Sequence, residues 1–441
     1  MTNKSKKTKS SIAESKYDDI FEAARSGSVD DVRYFIEQGV DINEADPYGE
    51  GQTALHWASG NADFAMVKCL LENGADVNAD ICKKECCGLF SKPLHLAVSY
   101  SGKWESDEFW VKVEDKIAND EAAFPVIKLL IEKGADVNAL DGSGATPLHG
   151  ASRRRGVSIL KYLVKNGAKV NAKGDKGRTP LFHATDNNEA LDYLISLGLD
   201  INARDNEGWT ILYQAAYGSN AAVLKNLVEK GADVNIGDND GVTPLHRAAL
   251  GNPKIAVLKY LVSQGADARA KDFRDRTLLH IAAQNNSNDE ILEYLIAVLG
   301  ADINAKDDIG QTPLHYAARY DGKCSSSPYW GEKQLKSRLQ TLVFLGADVN
   351  AKDNIGRTPL HVVASHTNPS DKFTNDDMLK YLVMQGADVN AKTNAGMTPL
   401  DFAYSEGKKN ILRSHNGLRG KDIFLKEIAS TIKSLSAVST T

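Results

Sequence analysis

The sequence predicts an all-α solenoid of stacked helix–turn–helix units joined by β-hairpin loops. The first observation is a phrase, Thr-Pro-Leu-His followed by two small residues, which begins at Thr146 and returns at Thr243 and Thr312. The second is the phrase Gly-Ala-Asp-Val-Asn-Ala-Lys, which follows an apolar stretch with helical spacing. Because the two phrases keep one phase along the chain, they predict repeated units rather than several separate domains.

The Thr position of this repeat occurs ten times, about 33 residues apart wherever no insertion intervenes. The positions are Thr53, Lys92, Thr146, Thr179, Thr210, Thr243, Thr277, Thr312, Thr358 and Thr398. A degenerate copy near Asp18 has an acidic, wettable surface, and it brings the count to eleven as an N-terminal cap. The repeat domain is therefore expected over residues 17–413, with insertions near 99–122, 320–334 and 366–376.

The seventh copy shows why each unit should fold in this way. Thr243 can cap the first helix with its hydroxyl, and Pro244 suits the first helical position because no N–H is needed there. The second helix carries Leu258 and Leu261 at helical spacing, and Gly265 supplies a left-handed stop. Since one unit cannot bury its apolar face alone, neighbouring units must stack.

The paired phrases resemble the ankyrin repeat, and the resemblance covers residues 17–413. It implies a non-enzymatic scaffold or adaptor that binds another protein on the concave surface lined by hairpin tips and first helices. The near-identical units also look like the ankyrin proteins of intracellular bacteria. That likeness implies an alternative role as an effector that acts on host proteins.

Composition indicates which broad classes of protein remain possible. Hydrophobic residues make up 42% and charged residues 25%, which are globular proportions. The mean hydropathy is −0.35 and apolar runs stay well below the ~18 residues of a membrane span, so no transmembrane segment is expected. Five cysteines fit a reducing compartment, and the N-terminus lacks the apolar core of a cleavable signal peptide. We therefore expect a cytoplasmic monomer, or one secreted into a host cell.

The recurring polar residues are interpreted as scaffold rather than as chemistry. Seven of the ten histidines lie at the Thr-Pro-Leu-His position, where an imidazole can bond to the Thr hydroxyl and nearby backbone. They are His56, His95, His149, His246, His280, His315 and His361. The Asp and Asn of Ala-Asp-Val-Asn are expected to tie down the hairpin by bonding locally to backbone.

No cofactor, metal or small-molecule substrate is predicted. Cys82, Cys86 and Cys87 cluster in one loop, but the obvious fourth zinc ligand, His95, already belongs to the repeat. A fortuitous or redox-sensitive cluster is the favoured interpretation. The sequence also lacks phosphate-loop, nucleophile-elbow, zinc-protease and kinase signatures, so no catalytic motif supports an enzymatic function.

Partner binding is predicted on two variable rows: the residue before the repeat Thr, and the residue four places after the His position. Both rows carry arginines and aromatic residues, the types enriched at binding hot spots. The predicted interface residues are Arg153, Arg178, Trp209, Tyr217, Arg276, Arg319 and Arg357.

The insertions and ends differ from the repeats. Residues 99–122 are acidic and contain a possible helix that either docks on the stack or presents a groove-binding face. Residues 1–16 are predicted to be a basic disordered arm, and residues 414–441 an amphipathic helix and tail covering the last repeat. The basic ends could alternatively bind a membrane surface or nucleic acid. The repeats between them carry −14, since residues 1–16 carry +4 and residues 408–441 carry +5 of a net −5, which opposes phosphate binding.

Overall fold

Pairs of short helices alternate with tight loops along the described part of the chain. The structure is a computed structural model, and it describes residues 15–48, 51–81, 92–99, 120–154, 156–185, 187–218, 221–251, 254–285, 288–319, 331–365 and 376–438. The chain divides into two compact units, Met1–Ile211 and Leu212–Thr441.

The first unit contains nine described α-helices and two short 3-10 helices, Asp175–Gly177 and Pro180–His183. The α-helices are α1 (Ile20–Ser26), α2 (Val29–Glu37), α3 (Ala54–Gly60), α4 (Phe64–Glu72), α5 (Pro93–Val98), α6 (Asp120–Glu132), α7 (Pro147–Ser152), α8 (Ser158–Lys165) and α9 (Asn188–Ser196).

The second unit continues the same pattern, beginning with a helix whose first residue closes the first unit. Its described α-helices are α10 (Ile211–Tyr217), α11 (Ala221–Glu229), α12 (Pro244–Gly251), α13 (Ile255–Ser263), α14 (Leu278–Asn285), α15 (Asp289–Glu293), α16 (Pro313–Ala318), α17 (Gly331–Phe344), α18 (Pro359–Ser365), α19 (Asp376–Met384), α20 (Pro399–Phe402), α21 (Glu406–Ser414) and α22 (Gly420–Val438). A π-helical turn, Tyr294–Val298, extends α15. With the 3-10 helix Pro180–His183 paired to α9 and α22 set aside, the described helices form eleven pairs. These pairs confirm the all-α repeat fold.

The loops are hairpins without strands. Across the residues that the structure describes, the β pairing is a single antiparallel bridge between Lys271 and Thr277. In the described residues the expected β-hairpins form no ladder beyond this bridge, and side-chain hydrogen bonds close the turns instead. In one example Asp141 N–H donates to the carbonyl of Ala145, while the Asp141 carboxylate accepts from the Ser143 and Ala145 N–H groups.

The Thr–His pairs are structural, as the sequence predicts. The backbone N–H of Thr146 donates to Nδ1 of His149 at 3.0 Å, and Nε2 of His149 contacts the carbonyl of Arg178 at 3.1 Å. Because Nδ1 accepts, Nε2 carries the proton and donates to that carbonyl, which lies in the next repeat. The same two-sided bridge recurs at His280, His315 and His361.

The Asn side chains act over a longer range than the sequence suggested. Asp136 bonds locally, accepting from the N–H of Asn138. The carboxamide of Asn138, however, donates to the carbonyl of Gly167 and accepts from the N–H of Lys169, both in the following repeat. Asn78, Asn235, Asn350 and Asn390 make equivalent pairs of bonds. The Asn ladder therefore joins repeats, because each carboxamide supplies both a donor and an acceptor.

Two described helices begin inside the ranges assigned to insertions. α6 begins at Asp120, within residues 99–122, and α17 begins at Gly331, within residues 320–334. Most of the three insertions, residues 1–14 of the basic arm and Cys82, Cys86 and Cys87 lie outside the described residues.

The C-terminal helix forms where its spacing predicts. α22 is attached at its start by the Gly420 N–H, which donates to Asp401 at 2.7 Å, and by an ion pair between Lys392 and Glu427. Phe424, Leu425 and Ile428 are 60%, 61% and 40% exposed, so these three apolar side chains of the helix face solvent.

Candidate protein-interaction surface

A buried Asp fixes the shape of most hairpin tips. One carboxylate oxygen of Asp353 accepts from the N–H groups of Ile355 and Arg357, two and four residues later, at 3.1 and 2.8 Å. The same pair of bonds forms at Asp141, Asp205, Asp238, Asp272 and Asp307. These residues form the Asp clamp, which sets the backbone that presents the two predicted binding rows.

Three of the predicted interface arginines bond to the Asp clamp. Nε of Arg276 donates to the second oxygen of Asp272 at 2.6 Å, and Nε of Arg357 donates to that of Asp353 at 2.8 Å. Arg178 instead reaches Asp205 in the next hairpin, at 2.9 Å, because Gly174 occupies the Asp place in its own hairpin. The Asp side chains are at most 1% exposed, so these arginines hold the tips in shape.

In two other hairpins a tyrosine hydroxyl, rather than an arginine, donates to the second carboxylate oxygen of the clamping Asp. The hydroxyl of Tyr213, which stands in place of His in the sixth repeat, donates to Asp238 at 2.8 Å, and that of Tyr316 donates to Asp307 at 2.8 Å. Burial first, and the bonded carboxylate second, raise the pKa of both phenols well above the usual range. The phenols therefore remain protonated donors.

Trp209 lies half-buried at its hairpin tip rather than fully in solvent. The guanidinium of Arg178 lies over its indole ring, 5.0 Å from the centroid. A cation over an indole face is attracted by the ring quadrupole, so Arg178 joins Trp209 to the clamped Asp205. Trp209, Arg178 and Asp205 thus form one cluster, in which the indole ring stays partly exposed.

Arg153 extends the same surface of the first unit. Its Nε donates to Nδ1 of His183 at 2.9 Å, and the His183 ring packs edge-on against His149, with 5.5 Å between centroids. Burial, followed by the charges of Arg153, His149 and Arg178, lowers the pKa of His183 to about 3. His183 is therefore neutral and accepts from Arg153, which makes no ion pair among the described residues and is exposed.

The other two predicted residues lie in the second unit. Tyr217 is 49% exposed, with Arg247 over its ring at 4.5 Å and its edge against Gly251, where a Cβ would come within 2.0 Å of a ring carbon. Arg319 is exposed and donates to the Gln311 carboxamide at 3.3 Å. Both present side-chain surface to solvent.

Sequence reasoning missed three exposed apolar residues at hairpin tips. Phe273, Ile309 and Ile355 are 77%, 47% and 54% exposed. The signal was available, because each stands inside a short hairpin turn where a polar residue is the usual choice. We call these three residues the apolar tip row.

Two further observations concern other chemistry. Within the described ranges, no group of three His, Cys, Asp or Glu side chains could hold a metal ion. Likewise, none of the described helices is both long and apolar enough to cross a membrane.

The comparison with known families agrees with this repeat architecture. The family model for ankyrin repeats in sets of three copies matches residues 20–106, 117–205, 189–272, 252–326 and 332–414, and the single ankyrin repeat matches residues 309–354. The chain therefore belongs to the ankyrin repeat family.

Individual relatives share only parts of the chain. An ankyrin repeat protein of fowlpox virus, FPV031, is 33% identical over 129 residues, which are 29% of this chain and 30% of the viral protein. A second fowlpox ankyrin repeat protein, FPV223, is 33% identical over 130 residues, 27% of this chain and 87% of that protein. The palmitoyltransferase akr1 of Schizosaccharomyces pombe is 46% identical over 61 residues, 14% of this chain and 9% of the enzyme. The chain thus spans less than a third of two of these three relatives, and the likeness to the enzyme is one of ankyrin repeats.

Proposed function

We propose that this protein is a non-enzymatic scaffold or adaptor that binds another protein through exposed side chains of its hairpin tips and first helices. Ankyrin repeats are protein-interaction modules, and their Asp-clamped hairpins hold variable side chains in place before a partner arrives. Such preorganisation reduces the entropy lost on binding.

The observation that carries this proposal is the Arg153–Trp209 surface of the first unit. Arg153 is exposed and forms no ion pair among the described residues, while the half-buried ring of Trp209 lies under the guanidinium of Arg178. Arginine and tryptophan are among the residue types enriched at hot spots. In the second unit, Tyr217 and Arg319 offer the same chemistry, whereas Arg276 and Arg357 support the tips.

The test is affinity capture with the full chain, followed by quantitative mass spectrometry of the retained proteins. The double variant Arg153→Ala, Trp209→Ala should retain its partners at least about tenfold less well than the wild type. A matched control, Arg33→Ala with Phe64→Ala, removes an exposed Arg and an exposed aromatic residue elsewhere in the first unit. Equal retention by both variants would place the interface elsewhere.

We also propose that the scaffold is a cytoplasmic monomer, in keeping with its low cysteine content and the free, buried thiol of Cys69. The bacterial-effector role remains an alternative. Sedimentation at two concentrations and cell fractionation check the two statements separately. A concentration-dependent mass or recovery in the extracellular medium would contradict them.

A further inference from the structure

The apolar tip row is the feature of the second unit that the repeat scaffold leaves unexplained. Phe273 packs its ring over Gly241 of the preceding hairpin yet stays 77% exposed. Ile309 and Ile355 match one another, two residues after the clamped Asp307 and Asp353, whereas Phe273 follows Asp272 by one residue. Exposed apolar side chains in a contiguous row mark interaction surfaces, because leaving them in water forgoes the free energy of burial.

Backbone hydrogen bonds make the row continuous. The N–H of Asp308 donates to the carbonyl of Arg274 at 2.9 Å, next to Phe273. The N–H of Asn354 donates to the carbonyl of Ile309 at 3.0 Å, and the N–H of Asn394 to that of Ile355 at 2.9 Å. Each tip is therefore joined to the next. A line of joined tips suits a single chain segment better than a flat surface.

Cations flank this row. At the three tips, residues 271–276, 306–311 and 352–357, the exposed charged residues are Lys271, Arg274, Lys306 and Lys352 against Asp275 and Asp308, and Lys271 pairs with Asp275 at 3.5 Å. Nζ of Lys306 donates to the carbonyl of Lys352 at 2.9 Å, and Nζ of Lys352 donates to that of Lys392 at 3.3 Å. These bonds to neutral carbonyls position the ammonium groups, and neither lysine forms an ion pair among the described residues.

We propose that the apolar tip row binds an acidic amphipathic segment of a partner protein. Apolar side chains of that segment would pack on Phe273, Ile309 and Ile355, and its carboxylates would face Lys306 and Lys352. An anionic membrane is the less favoured occupant, because its headgroups present negative charge to Asp275 and Asp308 as well as to the lysines, whereas a peptide can place neutral side chains opposite those acids. The inference rests on the proposed scaffold function and assigns its second unit a class of partner.

The experiment is a selection of random peptides displayed on phage against the full chain, followed by fluorescence anisotropy with the enriched sequences as synthetic peptides. Enriched peptides should alternate acidic and apolar residues. The triple variant Phe273→Ser, Ile309→Ser, Ile355→Ser should weaken their binding about tenfold or more. Replacing Lys306 and Lys352 with Ala should raise Kd several-fold and reduce its dependence on salt.

The second unit offers a matched control with equally exposed apolar residues away from the tips. Val298, Phe344 and Met384 are 67%, 87% and 77% exposed, and the three corresponding Ser substitutions should leave peptide affinity unchanged. Circular dichroism melting verifies that both triple variants fold, since the replaced side chains are largely in solvent.

Several results would overturn the inference. They are enrichment of no peptides or of peptides without acidic and apolar residues, equal binding to the tip variant, and loss of binding in the control variant. Sedimentation with phosphatidylserine–phosphatidylcholine vesicles that depends on the tip residues would favour the membrane instead. If protein capture through Arg153 and Trp209 succeeds while this selection fails, only the assignment of the second unit is lost.

Discussion

The hairpins of the two units share one backbone design but present different side chains. Two residues after the clamping Asp, the first unit has the polar Ser143 and Glu207, whereas the second has both charged residues (Asp240 and Arg274) and apolar ones (Ile309 and Ile355). The Asp accepts the same backbone N–H bonds in either case. The difference teaches that the carboxylate, rather than the tip side chain, sets the turn, which leaves the polarity of the tip free to vary with the partner.

The largest expected effect tests whether the Asp clamp is equivalent in the two units. Asp205→Ala in the first unit and Asp353→Ala in the second should each lower the free energy of unfolding by about 3 kcal/mol. Each change leaves two backbone N–H groups and one arginine without the carboxylate. Urea denaturation of the full chain measures the loss. If one variant were as stable as the wild type, the shared design would not hold.

A second prediction concerns acid. Burial lowers the pKa of His149 in the first unit and of His246, His280 and His315 in the second below the usual range for histidine. As the pH falls, the unfolded chain therefore binds protons first. The stability from these residues is complete above about pH 6.5 and declines below it, by up to about 1.4 kcal/mol per pH unit for each histidine.

Urea denaturation at about pH 7.5 and about pH 5.5 checks this dependence. His149→Gln removes one titrating group from the first unit, and His315→Gln removes one from the second. Both variants should therefore lose less free energy of unfolding between these pH values than the wild type does. An unchanged acid dependence in both variants would show that other groups cause it.

The smallest effect separates clamped from exposed arginines. Arg178→Ala and Arg276→Ala should lower the free energy of unfolding by about 1 kcal/mol, because each leaves a buried carboxylate without its ion pair. Arg153→Ala and Arg319→Ala, at exposed positions, should change it by less than about 0.5 kcal/mol. Thermal melts of the four variants provide the measurement. If the clamped pair and the exposed pair lost the same stability, the buried Asp would not depend on its arginine.

Much of the fold could be predicted from sequence because its causes are local. Thr146 and His149 are three residues apart and bond to one another, so their spacing alone predicts the cap. The helical stripes also follow from short-range periodicity, as at Leu258 and Leu261. The extent of the insertions was less predictable, since α17 begins within polar residues that carry no clear helix signal.

The candidate surface was predicted less completely, because exposure depends on atoms that are distant in sequence. Arg178 and Arg276 occupy the same repeat position and look alike in sequence. Their roles follow from which carboxylate lies within reach, in the next hairpin for Arg178 and in the same hairpin for Arg276. Trp209 likewise owes its half-buried position to the guanidinium of the preceding repeat.

By itself, then, the sequence determined the repeat family, the helix pairs and the Thr–His caps, because capping and apolar periodicity act within a few residues. Only the tertiary structure decided which arginines pair with a buried Asp and that Asn138 joins two repeats. It also decided that Phe273, Ile309 and Ile355 stay exposed at successive hairpin tips. Those outcomes depend on contacts between repeats, where the bonding atoms lie about one repeat length apart in the chain.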